Sequence, residues 1–161
     1  VMSNEFLIDG FVFENATLKG DDITEKILTM YDKLNRDDIS YLLLPGTILS
    51  LYNIVDIDQI FEQLQIPIIA ANSKDSLGLH HTLKHHFPNN SENKIKQYEK
   101  LGSRQIIQLD SKNEIFLRTR GCTVEHCKTL LEKITLQGSI PEPLRVSQTL
   151  AKTILKTNNS Q

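Results

Sequence analysis

Ile39-Ser40-Tyr41-Leu42-Leu43-Leu44-Pro45-Gly46, with Pro67-Ile68-Ile69-Ala70-Ala71 further on, decides the fold. Each is a short, largely apolar run closed by turn-forming or polar residues, the pattern of a strand buried on both faces. Between them Asp56-Ile57-Asp58-Gln59 has the acid-x-x-Gln form of a helix start. Ile57, Ile60, Phe61 and Leu64 then make one apolar stripe at helical spacing. Strand, helix, strand in that order is a βαβ unit, so the two strands should be parallel with a right-handed crossover. Sheets of this kind carry their sites at the strand C-terminal ends. Here those ends are Pro45-Gly46-Thr47 and Asn72-Ser73-Lys74.

Working outward from this unit, Phe6 to Phe13 and Ala16-Thr17-Leu18 read as strand, with a turn at Asp9-Gly10. No helix or cap precedes them, so the chain is expected to begin inside its own sheet. Asp22-Ile23-Thr24-Glu25 has the form of a capping box, with a helix carrying Ile27, Tyr31 and Leu34 behind it. On the C-terminal side, helices are predicted over 76–86 and 91–101. Strands over 104–109 and 114–120 form an antiparallel hairpin. An amphipathic helix follows over 123–135, then an irregular stretch over 138–143 and a last helix over 144–155. The reading is one α/β domain over 1–156 with a loose tail over 157–161.

With 161 residues, 39% hydrophobic and 24% charged, the chain has the composition of a globular domain. No apolar run is long enough to span a membrane. Val1-Met2-Ser3-Asn4-Glu5 lacks the basic-then-apolar pattern of a secretory signal, so a cytoplasmic location is expected. Cys122 and Cys127, five apart at a helix start, read as half-buried free thiols, poor disulfide partners and a weak metal signal. The net charge of −2 is unevenly spread: residues 1–80 carry −8 and residues 81–161 carry +6. The basic half could supply a nucleic-acid face, the acidic half could hold a cation, and solvated surface charge would look similar.

Walker, dinucleotide and Gly-x-Ser-x-Gly signatures are absent from the sequence. Three other features bear on chemistry. The acids Asp9, Asp21, Asp22 and Asp56 could converge on Mg²⁺, which takes hard oxygen ligands and offsets phosphate charge. Capping alone also accounts for Asp22 and Asp56. The histidines His80, His81, His85 and His86 include an i,i+4 pair, but no Cys or acid is spaced to complete a zinc site. In Pro141-Glu142-Pro143-Leu144-Arg145 the prolines fix an extended lead into a helix, and Glu142 lies near its positive end. Arg145 either holds a phosphate or braces the turn.

A set of strings together resembles the archaeal family known as endonuclease dU, itself similar at a distance to endonuclease V. They are Gly20-Asp21-Asp22-Ile23-Thr24-Glu25-Lys26-Ile27, Gly46 with Tyr52-Asn53-Ile54-Val55-Asp56-Ile57, Ile66-Pro67-Ile68-Ile69, His86-Phe87-Pro88, and Gly138-Ser139-Ile140-Pro141-Glu142-Pro143-Leu144-Arg145. The resemblance runs from about Leu7 to Ile154. It implies an RNase H-like mixed sheet of five strands flanked by helices, with a C-terminal hairpin and helices. It also implies Mg²⁺-dependent cleavage of DNA near a deaminated base, deoxyuridine or deoxyinosine.

On that resemblance Asp22 and Asp56 would be catalytic metal ligands. Asn53, Lys74 and Arg145 would contact nucleic acid, with Gly46, Pro141, Glu142 and Pro143 as structural motif residues. The sequence departs from the family at three places. The acidic motif of the first strand is absent, Lys19 stands in place of an acid, and Gln148 stands in place of a His. The first strand is thus expected to be missing upstream. Two alternatives follow: a non-catalytic nucleic-acid-binding or assembly module of the same fold, or a nuclease for inosine-containing RNA. An exposed sheet edge would invite a homodimer.

Overall fold

The computed structural model describes residues 1–74 and 78–158. The elements run α1 (Ile23–Leu34), β1 (Leu42–Leu44), β2 (Ile48–Leu49), β3 (Asn53–Ile54), α2 (Ile57–Leu64), β4 (Ile68–Asn72), α3 (His80–His86), α4 (Ser91–Lys100), β5 (Gln105–Gln108), β6 (Glu114–Arg120), α5 (Val124–Ile134) and α6 (Glu142–Asn158). Four strands form a mixed sheet in the order β1-β4-β6-β5. β1 and β4 pair in parallel, Leu42 opposite Ile68 and Leu44 opposite Ala70. β6 pairs antiparallel with both β4 and β5.

Side chains alternate across a strand, so β4 serves two cores at once. Ile68 and Ala70 pack with Leu44 against Ile27 of α1 and Ile57 and Ile60 of α2. Ile69 and Ala71 face the other way, against Leu117 of β6 and Cys127 and Leu131 of α5. Ile68 and Ile69 are both wholly buried. Each contributes about 2–3 kcal/mol of apolar burial. The absence of a polar position in 68–71 is what a strand between two helical layers requires.

Several expectations need correcting. Residues 6–18 form no strand: the only pairing there is an isolated antiparallel bridge between Met2 and Ile8. Leu7, Ile8, Phe11, Phe13 and Leu18 are all exposed. Among the described residues no strand lies against the outer edge of β1, and this segment does not pair with it. It is held instead by ion pairs, Asp9 to Arg36 at 2.5 Å and Glu14 to Lys33. Among the described residues the sheet has four strands rather than the five implied, and β2 and β3 form a separate two-stranded ribbon. Residues 157 and 158 continue α6 rather than a tail, while 159–161 lie outside the described residues. Likewise the predicted start of the helix at Ser76 lies outside them. Pro143 sits inside the first turn of α6, where its missing N–H costs nothing. Finally, Cys122 and Cys127 are not poorly placed for each other: their Sγ atoms lie 3.1 Å apart.

Candidate functional site

Two arrangements adjoin the C-terminal ends of β1 and β4. The first is built on Asn53, which β3 places wholly inside the protein. Its Nδ2 donates to Asp22 Oδ1 at 2.7 Å and to the Thr17 carbonyl at 3.1 Å. Its Oδ1 accepts from the Ile23 N–H at 3.2 Å, satisfying one of the orphan donors at the start of α1. Asp22 therefore does not cap α1 with its own side chain, as the capping-box reading held. It turns back to Thr17, accepting from its N–H at 3.1 Å and its hydroxyl at 2.9 Å. The bond from Asn53, supported by those from Thr17, holds the Asp22 carboxyl below the usual carboxylate range. Gly20 permits this fold-back: a Cβ there would meet Thr17 Cβ at 2.7 Å.

Asp56 does cap α2, its Oδ1 accepting from the N–H groups of Asp58 and Gln59 at 3.1 Å each. Oδ2 accepts from Lys100 Nζ at 2.6 Å. Burial works to raise this carboxyl, but the Lys100 bond and the two backbone donors outweigh it and hold it low. A third acid, Asp21, accepts from Lys94 Nζ at 2.6 Å. Lys94 is itself fully buried and also donates to the Gly20 carbonyl at 2.6 Å.

These carboxylates do not suit Mg²⁺. The ion takes about six oxygen ligands in near-octahedral order. Both oxygens of Asp22 and both of Asp56 already accept protein donors, and Lys94 and Lys100 supply the positive charge. Among the described residues no three His, Cys, Asp or Glu side chains converge so as to hold a metal ion. The histidines are used otherwise: His80 bonds Glu99 at 2.9 Å, and His86 stacks on Tyr52 with ring centroids 4.9 Å apart.

The second arrangement is a cleft of about 220 Å³ lined by Gly46, Thr47, Tyr52, Asn72, Arg104 and Arg118, among others. Gly46 has a φ of +123°, a backbone that side-chain-bearing residues rarely adopt, and turns the chain at the end of β1. Arg118, on β6, donates to Thr47 Oγ1 at 3.1 Å and to the Gly102 carbonyl at 3.0 Å. Arg104 lies over the Phe116 ring, 5.2 Å from its centroid. No acidic side chain is among the described residues lining this cleft. Burial, then the positive charge of Arg104, pushes the Arg118 guanidinium below its ordinary value. Arg104 and Arg118 thus bring two positive charges to one cleft. A larger open depression of about 440 Å³ near the C-terminal end of α1 includes Asp32 and Asp37 in its lining, which disfavours an anion.

Of the residues singled out in the sequence, Asn53 and Asp22 come together, with Asn53 in a supporting and buried role, while Asp56 is bonded to Lys100. Lys74 is exposed two residues past Asn72, its N–H bonded to Asn72 Oδ1 at 2.9 Å, near the cleft. Arg145 is elsewhere: it bonds Glu142 Oε1 at 3.1 Å and the Gln137 carbonyl at 2.8 Å, bracing the turn from Gly138 through Pro141 into α6. Arg104, Arg118 and Lys94 were not found in the sequence. For Arg118 the alternation of β6 was a usable signal, since Ile115 and Leu117 point to the core and Arg118 lies on the opposite face.

Fold and cleft together define a three-layer α/β domain with a cleft at its strand ends that two arginines help to line. The chain matches the family model for Endonuclease dU over residues 1–155 and belongs to that family. A UPF0215 protein of Archaeoglobus fulgidus is 25% identical over 154 residues, covering 92% of this chain and 80% of the relative. A UPF0215 protein of Methanosarcina barkeri is 30% identical over 151 residues, covering 92% and 76%. The crystal structure of a protein of unknown function from Archaeoglobus fulgidus superposes with a TM-score of 0.78 at 23% identity, over 95% of this chain and 86% of that one, and so shares the fold. A more distant likeness is to Ciona intestinalis endonuclease V in complex with inosine-containing DNA, with a TM-score of 0.48 at 15% identity, over 84% and 62%.

Proposed function

We propose that this member of the endonuclease dU family acts on DNA, and that the Arg104–Arg118 cleft receives a phosphodiester of the bound strand. The observation that carries the proposal is the convergence of Arg104 and Arg118 on one cleft at the C-terminal ends of the parallel strands β1 and β4. Lys74 at the end of β4 and the basic balance of the C-terminal half add to the attraction for a polyanion. The lesion is a deaminated base, deoxyuridine by the family's description, with deoxyinosine as the alternative. An RNase H-like ancestry belongs to the same proposal.

The reading favoured is recognition of the strand without hydrolysis by Asp22 and Asp56, whose oxygens are committed to protein donors. Mg²⁺-dependent strand cleavage is the second reading, favoured by the family match over nearly the whole chain. Pairing of two chains along an open sheet edge is compatible with either, since Ile106 on the edge strand β5 is 61% exposed.

The test is fluorescence anisotropy with labelled DNA carrying one deoxyuridine, one deoxyinosine or neither, and with inosine-containing RNA. Denaturing gels with and without Mg²⁺ run alongside. Binding without Mg²⁺ and without scission is expected. Scission that needs Mg²⁺ and disappears in Asp22→Ala would establish the second reading instead. Absence of binding to every probe would sink both.

A further inference from the structure

Cys122 and Cys127 hold two defined places around a helix start. Thr123 is the cap of α5, its hydroxyl accepting from the His126 N–H at 3.2 Å. Cys122 is thus the residue before the cap, and Cys127 the fourth residue of the helix. Side chains at these two positions fold over the first turn and meet, which is the geometry of the hydrophobic staple. Here the meeting side chains are thiols, with Sγ atoms 3.1 Å apart. A disulfide bond is about 2.05 Å long, so roughly 1 Å of closure separates the pair from a covalent link. Cys127 is wholly buried in the core beside Leu131, whereas Cys122 is partly exposed. They are the only cysteines of the chain, so neither has another partner within it.

We propose that Cys122 and Cys127 are a modification site, a reversible intramolecular disulfide formed by exchange with a low-molecular-weight disulfide. The accessible Cys122 reacts first. Its thiolate attacks one sulfur of the reagent, whose S–S bond breaks, and one equivalent of small thiol leaves with a proton. Cys127 then loses its proton and attacks the Cys122 sulfur, releasing the second small thiol. The two cysteines are oxidised by two electrons, and the reagent is reduced to two thiols. Burial and the neighbouring Cys122 push the Cys127 thiol up to about 12, which makes the second step the slow one. The bond would tie the end of β6, the strand that carries Arg118, to the first turn of α5.

The reduced full-length chain is incubated with oxidised glutathione, quenched with acid and digested with trypsin. Cleavage after Arg120 and Lys128 leaves both cysteines in one peptide, residues 121–128. That peptide is expected to lose two hydrogens, in a monomeric protein, and to regain them with dithiothreitol. Cys127→Ser should stop at a glutathione adduct on Cys122. Cys122→Ser, at the partly exposed position, should leave Cys127 as an unmodified thiol; it carries the comparison if Cys127→Ser does not fold. Two unreacted thiols, a stable glutathione adduct in the wild type, or disulfide-linked dimers would each overturn the proposal.

Discussion

Asn53 Nδ2 lies 2.7 Å from Asp22 Oδ1, and this one bond joins the start of α1 to the β2–β3 ribbon. The same amide caps α1 through Ile23 and holds the Thr17 carbonyl. Asn53→Ala strands these groups, and leaving buried polar groups unpaired costs about 1–3 kcal/mol. A loss of about 2 kcal/mol in urea unfolding is therefore expected. Asn53→Asp should be at least as damaging, because it sets a second carboxylate against Asp22.

The Asp22 interaction also predicts a pH response. Its carboxyl is held low in the folded protein, so its contribution is present above the ordinary aspartate pKa and is lost as pH falls through the folded value. Asp22→Asn should leave stability above pH 6 slightly reduced and should flatten the acid limb of the stability curve. Chemical unfolding at a series of pH values checks this; parallel acid limbs for both proteins would contradict it.

Lys94 gives the sharpest stability prediction. Its ammonium is fully buried and held by Asp21, the Gly20 carbonyl and, at 3.3 Å, the Tyr52 carbonyl, with the Phe87 ring 5.0 Å away. Lys94→Met keeps most of the apolar stem but leaves those oxygens without a donor. Removing one partner of a buried pair costs about 3–5 kcal/mol. Asp21 is half exposed and can recover water, so the lower end, about 3 kcal/mol, is expected. Thermal unfolding followed by circular dichroism would show it, and a change within error would mean that the ammonium is not desolvated in solution.

The sequence made the two buried strands, the hairpin and most helix positions legible, because each rests on a local pattern of apolar spacing and turn residues. The N-terminal segment misled for a physical reason. Its alternation of Leu7, Phe11 and Phe13 suits a strand, but a strand also needs a neighbour, and pattern does not supply one. At Asp22 the local capping-box pattern was overridden by Asn53, 31 positions along the chain. Asp56 behaved as its pattern said, because its donors are its own next residues. Lys94 sits in a polar helix, Ser91–Lys100, where nothing local marks it for burial. The meeting of Cys122 and Cys127 was readable, given Thr123 as the cap between them.

The last prediction separates the cleft from the Pro-Glu-Pro-Leu-Arg turn, since the sequence offered Arg145 as a phosphate contact and the structure commits it to Glu142, Gln137 and Ile140. Arg118→Gln removes a cation from the cleft, and losing one phosphate contact should weaken DNA binding about tenfold, or about 1.4 kcal/mol. The slope of log affinity against log salt should fall by about 0.7–0.9, the share of one phosphate contact. Arg145→Gln should leave affinity and salt slope unchanged. It should instead lower stability by about 1 kcal/mol, through the lost bonds to the turn. Anisotropy titrations at three salt concentrations, beside urea unfolding of both variants, resolve the two effects. If Arg145→Gln weakens binding with a reduced salt slope while Arg118→Gln does not, the nucleic-acid face lies at the start of α6 and the cleft assignment is wrong.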